Sequence, residues 1–244
     1  MISVCVPTYN GEKYIREQLN SILCQIGEKD EIIISDDGSS DLTVEILNSY
    51  NDKRIKIFHH VKHKKPKSKF RFNLTTRNIE NALKNANGDI IFMADQDDVW
   101  EKNRIEKILP YLNDYSLVLN DCKVVDEDKK SIHESYFQIN KSNKGFFKNL
   151  IKNSYLGCCM AFTKESMDFF YPFPKVPIPH DIWIGLMNEI YGRVHFLDEK
   201  LVLYRRHGNN LSYSSGASNF SFWYKMEYRI ILLFAILLKL IKKK

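Results

Sequence analysis

The chain has 244 residues, of which 44% are hydrophobic and 27% charged, and a net charge of +6. This composition excludes an intrinsically disordered protein and predicts a folded one with a single large domain or two small ones. The five cysteines show no C-x-x-C spacing, which argues against a disulfide framework or a zinc site and favours a reducing cytoplasm.

The first part of the chain alternates strand and helix patterns. Residues 2–9 form an apolar run typical of a strand, and residues 15–26 place apolar side chains on one helical face. A second buried strand at Ile32–Ile34 leads through a turn at Gly38 into a helix that is capped by Ser40 or Asp41 and runs through Tyr50. Two successive strand and helix units are the beginning of an α/β fold.

The same alternation continues to the middle of the chain. Strands are predicted over residues 54–60, 89–94 and 116–126, and helices over residues 76–86 and 105–112. Alternating strands and helices imply an α/β protein with a Rossmann-like, mostly parallel sheet and helices on both faces.

The second half is less regular. Residues 155–166 resemble a strand, residues 179–192 a helix, and residues 193–210 a β segment that ends in a basic turn. A basic cluster at residues 62–71 is either a solvated loop or a site that attracts phosphate groups. No RNA- or DNA-binding module accompanies this cluster, so a nucleic-acid partner is not expected.

Residues 216–244 are predicted to form an amphipathic or hydrophobic C-terminal helix. The continuous apolar run Ile230–Leu238 is shorter than the roughly 20 residues that span a bilayer. Aromatic residues precede this run and lysines follow it, which is typical of a helix in the headgroup region. We therefore expect a cytoplasmic protein that contacts the inner face of the cell membrane through residues 220–244. The alternative is a helix packed on the domain or on another subunit of a homo-oligomer.

Three polar segments follow strands that are predicted to be parallel. They are residues 7–10, 36–39 and 95–98. Because the carboxyl ends of parallel strands lie at one edge of a sheet, these segments predict a ligand site at that edge. Asp36-Asp37-Gly38-Ser39 is either an ordinary turn or the source of a carboxylate that binds the base or ribose of a nucleotide.

The carboxylates Asp95, Asp97 and Asp98 follow the strand at 89–94 directly. Like charges this close repel one another, and a cation among them removes the repulsion. Carboxylates suit Mg²⁺ or Mn²⁺, with phosphate oxygens completing the coordination. We prefer this metal site to its alternative, a solvated acidic turn.

The first turn contains neither a G-x-G-x-x-G nor a P-loop motif, which argues against a dinucleotide cofactor or an ATPase. A bound diphosphate would then need cations, which the metal, Arg77 and the Arg205-Arg206-His207 turn can supply. Asp181 lies near the start of the helix at 179–192, where it is either a helix cap or a general base.

Six segments taken together resemble the inverting glycosyltransferases of family 2, over residues 2–210. They are "ISVCVPTYNGEKYIREQLNSIL", "DEIIISDDGSSDLTVEIL", "RNIENALKNANGDIIFMADQDDVWEKNRIEKI", "GCCMAF", "PHDIW" and "FLDEKLVLYRRHGNN". The elements "DQDDVW", "HD-x-W" and "YR-x-HGNN" resemble a bacterial rhamnosyltransferase-like subgroup. The resemblance implies a GT-A fold, a nucleotide-diphosphate sugar donor, a divalent metal ion (Mn²⁺ or Mg²⁺) and transfer with inversion.

The resemblance also implies roles for individual residues. Asp181 corresponds to the catalytic base, Asp97 to the metal-holding residue of the DXD motif, and His207 to a histidine that closes over the diphosphate or metal. The resemblance also implies contacts with the donor by Pro7, Thr8, Tyr9, Glu12, Asp37, Arg77, Asp95 and Gln96. We add Arg206, the basic side chain of the C-terminal turn, to these donor contacts.

His180 and Gln96 depart from the commonest family pattern, which has Glu before the base and Ser or Ala in the DXD motif. We expect these differences to affect the choice of sugar, with dTDP-rhamnose or a UDP-hexose as donor and a glycan or lipid-linked oligosaccharide as acceptor, in surface polysaccharide synthesis. Residues 1–120 would then be the nucleotide-sugar-binding half and residues 121–215 the acceptor and base half of one domain. The alternatives are a nucleotidyltransferase and a nucleotide-sugar-binding module without activity.

Overall fold

A nine-stranded mixed sheet forms the centre of the protein in the computed structural model, which describes residues 1–60, 72–208 and 222–242. The strand order is β3-β2-β1-β4-β8-β6-β9-β5, and β7 pairs with β6. The strands are β1 (Ile2–Thr8), β2 (Glu31–Asp36), β3 (Ile55–His59), β4 (Ile90–Met93), β5 (Val99–Trp100), β6 (Leu117–Val125), β7 (Ser131–His133), β8 (Met160–Thr163) and β9 (Val194–Arg205).

The described residues also contain helices of very different length. They are α1 (Ile15–Leu23), α2 (Thr43–Ser49), α3 (Phe72–Asn85), α4 (Arg104–Ile108), α5 (Tyr136–Asn140), α6 (Phe146–Ile151), α7 (Met167–Phe170), α8 (His180–Tyr191) and α9 (Phe222–Lys242), with 3₁₀ turns at Leu109–Asn113 and Gly157–Cys159. Helix α3 packs on β1 and β2, and α1 packs against α2 and β5.

The predicted alternation of strands and helices is confirmed from β1 to β4. β1, β2, β3 and β4 are parallel to one another, and β6 is parallel to β9. β8 is antiparallel to both β4 and β6, so that it separates the two parallel groups. The predicted strand over 155–166 is therefore confirmed only for Met160–Thr163, because a 3₁₀ turn at Gly157–Cys159 interrupts it.

Burial explains why β2 lies in the interior of the sheet. Ile32, Ile33 and Ile34 are fully buried although consecutive side chains of a strand point to opposite faces. Both faces of the sheet are therefore covered. The burial of each of these side chains stabilises the folded protein by about 1.5–3 kcal/mol. The turn before β4 needs Gly88, because a Cβ there would lie 2.5 Å from the Ser3 backbone nitrogen.

Helix α9 contacts the rest of the protein along one side. Leu232, Ala235 and Ile236 are buried, and Lys239 Nζ donates to the Tyr171 carbonyl at 3.1 Å. Among the described residues, no helix is both long and apolar enough to cross a membrane. The basic cluster at 62–71, Asn209, Asn210 and the last two lysines lie outside the described residues.

Candidate functional site

Asp36 joins the ends of β1 and β2. Its Oδ1 accepts hydrogen bonds from Thr8 Oγ1 at 3.0 Å and from Ser39 Oγ at 2.5 Å. Its Oδ2 accepts from the backbone amides of Gly38 at 3.0 Å and Ser39 at 2.9 Å. Gly38 has a φ of +77°, a conformation that glycine adopts without strain. Asp36 therefore shapes the turn that carries Asp37.

Asp37 is nearly buried at the edge formed by these strand ends. Its Oδ1 lies 2.9 Å from His60 Nδ1, and its amide donates to the Thr8 carbonyl at 2.9 Å. The predicted nucleotide-base ligand is thus held between the end of β1 and the residue that follows β3.

Gln96 connects the first turn to the acidic turn. Its Oε1 accepts from the Tyr9 amide at 2.9 Å, and its Nε2 donates to the Tyr9 carbonyl at 3.1 Å. A Cβ at Gly11 would overlap the Gln96 amide group, so only glycine leaves room for this pair. Glu12 Oε2 accepts from the Leu42 amide at 2.9 Å, which places this predicted donor contact at the start of α2.

Asp97 and His207 face one another across the site. Asp97 Oδ2 lies 2.8 Å from His207 Nε2, and both side chains are largely buried. The Tyr14 ring stacks on the His207 ring with centroids 4.9 Å apart. The structure therefore brings together the two predicted metal ligands, which are 110 residues apart in the chain.

Arg205 holds the acidic turn against the end of β9. Its amide donates to Asp98 Oδ1 at 2.9 Å, and its Nε donates to the Asp97 carbonyl at 2.8 Å. Its other guanidinium nitrogens donate to the Glu127 carbonyl at 2.7 Å and to Glu17 Oε2 at 2.5 Å. The sequence contained no signal that separates this buried arginine from Arg206 beside it, because both belong to the same basic turn.

Burial and neighbouring charges act strongly on the acidic turn. Burial, followed by the negative charge of Asp97, raises the pKa of Asp95 to about 7. The charge of Asp181 contributes to the same shift, so the candidate base lies within electrostatic reach of the turn. Burial, followed by the charges of Asp97 and Asp95, raises the pKa of Asp98 well above its usual range.

Asp181 lies in the first turn of α8, two residues after the capping position at Pro179. Its Oδ2 accepts from Asn153 Nδ2 at 2.9 Å, and its Oδ1 accepts from the Ile182 amide at 2.8 Å. The carboxylate is half-buried and oriented by these two donors. Asn153 was not identified from the sequence, because nothing local connects it with a residue 28 positions later.

The two predicted basic donor ligands make contacts of their own. Arg77 Nη1 donates to Glu80 Oε2 at 2.6 Å and its Nη2 donates to the Pro174 carbonyl at 2.5 Å. Arg206 Nη1 donates to the Tyr204 hydroxyl at 3.3 Å. Arg77 thus fixes the segment before α8 to α3 in this arrangement, and Arg206 lies directly before His207.

The residues at this edge fit a divalent cation. Adjacent ligands of an octahedral ion with bonds of about 2.1 Å are roughly 3 Å apart, close to the spacing of Asp97 Oδ2 and His207 Nε2. Asp98 Oδ2 is buried and makes no hydrogen bond among the described residues. Ligand atoms of Asp95, Asp98 and Cys158 also lie within 4.8 Å of one another. Carboxylates suit both Mg²⁺ and Mn²⁺, and the imidazole of His207 favours Mn²⁺ of the two.

The family model described as Glycosyl transferase family 2 matches residues 3–170, which is more than half of the chain. The chain belongs to glycosyl transferase family 2. It is therefore a glycosyltransferase, and the resemblance found in the sequence is confirmed. The nucleotidyltransferase alternative is disfavoured by the same match. The rhamnosyltransferase-like subgroup stays a prediction.

This family 2 glycosyltransferase is similar to two bacterial proteins. TuaG of Bacillus subtilis, a glycosyltransferase assigned to teichuronic acid biosynthesis, is 28% identical over 225 residues, 87% of this chain and 81% of TuaG. WfgD of Escherichia coli, a UDP-Glc:α-D-GlcNAc-diphosphoundecaprenol β-1,3-glucosyltransferase, is 26% identical over 192 residues, 78% of this chain and 70% of WfgD.

Among solved structures, TarS of S. aureus, residues 1–349 in complex with UDP-GlcNAc, has a similar fold. The TM-score is 0.67 at 20% sequence identity, and the match covers 95% of this chain. This chain spans 66% of that TarS fragment. The likeness confirms the predicted GT-A fold, with its mostly parallel sheet and C-terminal helix.

Proposed function

We propose that this glycosyltransferase moves a sugar from a nucleotide-diphosphate donor to a hydroxyl group of a glycan or lipid-linked acceptor, with inversion, in cell-surface polysaccharide synthesis. The observation that carries the proposal is the 2.8 Å contact between Asp97 and His207 at the acidic turn after β4, where the charge of Asp181 also helps to raise the pKa of Asp95. The names of TuaG and WfgD support the polysaccharide context, and the UDP-GlcNAc bound to TarS supports a UDP-type donor.

The donor would lie over the turns that follow β1, β2 and β4. Asp37 would bind the nucleotide base or ribose, with His60 holding its carboxylate. Pro7, Thr8 and Tyr9 would line the nucleotide, while Gln96 keeps the backbone of Tyr9 in place. Glu12 would act from the start of α2. The dTDP- and UDP-sugars both remain candidate donors.

The negative charge of the diphosphate requires positive partners. Asp95, Asp97 and His207 would hold Mn²⁺ or Mg²⁺, which supplies electrostatic stabilisation of the departing nucleoside diphosphate. Arg206, next to His207, would add a further positive charge, and Arg77 would approach the donor from α3. Arg205 fixes the acidic turn through its hydrogen bonds to Asp97 and Asp98.

Asp181 would remove the proton from the acceptor hydroxyl as that oxygen attacks the anomeric carbon. The attack comes from the face opposite the leaving group, so one displacement inverts the configuration. Only one carboxylate takes part in proton transfer, in contrast to the two that glycoside hydrolysis uses. Asn153 orients this carboxylate, and α8 provides its rigid support.

The test is a transfer assay with UDP-, dTDP- and GDP-sugars, with and without Mn²⁺, on the wild type and on Asp181→Asn. Loss of a general base lowers turnover by about 10²–10⁴-fold. Nucleotide binding by the variant should be unchanged, because Asp181 is not a donor ligand in this proposal.

The matched control is Asp198→Asn, since Asp198 is a well-exposed carboxylate elsewhere on the surface. Normal turnover in Asp181→Asn would refute the assignment of the base. Tight binding of a nucleoside diphosphate with Mn²⁺, but no transfer from any donor, would favour the inactive binding module.

A further inference from the structure

Helix α9 presents an apolar stripe to its surroundings. Trp223, Ile230, Phe234, Leu237 and Ile241 are 78%, 59%, 56%, 56% and 69% exposed. Their spacing of seven, four, three and four residues places them on one helical face. The other side of the helix is held by the body of the protein, so the stripe runs along the outside of a fixed helix.

The short helix α6 carries a second exposed apolar pair next to α9. Phe147 is 76% exposed and Ile151 is 70% exposed, one helical turn apart. The guanidinium group of Arg229, on α9, donates a hydrogen bond to the Ile151 carbonyl. The end of α6 therefore lies against α9, and we call the exposed sides of these two helices the α6–α9 surface.

Positive charge is concentrated in the two segments that build this surface. Residues 141–152, which contain α6, have four exposed lysines and no acidic residue, and residues 222–244 contain six basic residues and one acidic residue. The net charge of the whole chain is only +6, so the remainder of the protein is net negative. Apolar side chains flanked by cations match the interface of a bilayer that contains anionic lipids.

We propose that the α6–α9 surface docks on an anionic lipid bilayer, with both helices lying in the plane of the headgroups. A second copy of the chain is the less favourable occupant, because a symmetric dimer would place two strongly positive surfaces against each other. Since the buried side of α9 stays on the protein, only the exposed stripe enters the interface.

Docking on a bilayer extends the proposed function. It rests on that function only in assuming a lipid-linked acceptor. Asn153, two residues beyond α6, donates to Asp181, so the bilayer-facing helix leads directly to the candidate base. On α9, burial raises the pKa of Tyr228, and the charge of Asp181 contributes to this shift. A lipid-linked acceptor anchored in the bilayer would have its hydroxyl group held beside Asp181.

The test is cosedimentation of the full chain with vesicles of phosphatidylglycerol and phosphatidylcholine, compared with phosphatidylcholine alone, without donor. Wild type should bind the anionic vesicles and lose this binding at high salt. Phe147→Ser with Ile151→Ser should weaken binding about tenfold or more, because two apolar side chains no longer enter the interface. Lys144→Glu with Lys148→Glu should weaken it about fivefold or more for each lysine.

The matched controls are Ile132→Ser and Lys29→Glu, exposed residues of the same types outside the surface, and both should bind like wild type. Melting temperatures of all variants show that they are folded. Equal binding to neutral and anionic vesicles, or wild-type binding by the Phe147 and Ile151 variant, would overturn the proposal. A dimer in solution that these substitutions dissociate would instead identify a second copy as the occupant.

Lipid binding and sugar transfer fail independently in this design. If the protein does not bind vesicles but still transfers sugar from a soluble donor, only the proposed docking of the α6–α9 surface on a bilayer is refuted. If vesicles are bound as expected but no donor is turned over, only the proposed function is wrong.

Discussion

Arg205 provides the sharpest test of how the acidic turn is built. Its side chain is 3% exposed and donates to the Asp97 carbonyl, the Glu127 carbonyl and the Glu17 carboxylate. The guanidinium also lies 4.8 Å from the centre of the Tyr14 ring, which in turn stacks on His207. Replacing Arg205 by alanine removes all of these contacts at once.

The size of the effect follows from burial. Removing one partner of a buried ion pair costs about 3–5 kcal/mol. Glu17 retains 38% exposure and can be rehydrated, so we expect the lower end, ~3 kcal/mol, for Arg205→Ala. Arg205→Lys should recover part of this loss, because lysine keeps the charge but has one nitrogen instead of the planar fork.

Urea unfolding followed by tryptophan fluorescence measures this free energy directly. Lys13→Ala is the control, because the Lys13–Glu127 pair is largely exposed and should contribute little. A loss below about 1 kcal/mol for Arg205→Ala would refute the reasoning, since it would mean that the buried contacts are not formed in solution.

Three further predictions concern the site itself. Mn²⁺ with UDP should raise the melting temperature of the wild type by about 5–10 °C when the ligand is in hundredfold excess over its dissociation constant. Asp97→Ala should abolish the part of this rise that depends on Mn²⁺, whereas Asp198→Asn should retain it. Asp95 has an ordinary pKa of 3.8 that rises to about 7 on folding, so the folded protein binds this proton more tightly than the unfolded chain. The stability of the metal-free protein should therefore fall as the pH rises from about 4 through about 7, and Asp95→Asn should flatten this part of the pH profile in urea unfolding. Gly11→Ala should raise the KM for the donor several-fold by displacing Gln96, and the double variant with Gln96→Ser should recover part of it; an unchanged KM in the single variant would contradict the packing described for this turn.

The sequence by itself determined the order of the elements from β1 to β4 and the edge at which the site lies. Periodicity reports local burial, and the carboxyl ends of parallel strands necessarily share one edge of the sheet. The position of Asp97 at this edge follows from the pattern alone, whereas the role of Asp181 as base comes from the resemblance to family 2, and both roles stay predictions.

Only the tertiary structure decided how these residues are held. The antiparallel course of β8, the contact of Asn153 with Asp181, and the pairing of Arg205 with the acidic turn all join segments that are distant in the chain. The sequence also did not predict that the apolar pair on α6 belongs to a larger surface, because that surface forms only where α6 lies against α9. Such contacts are set by packing over the whole sheet, which local patterns of hydrophobicity and charge do not encode.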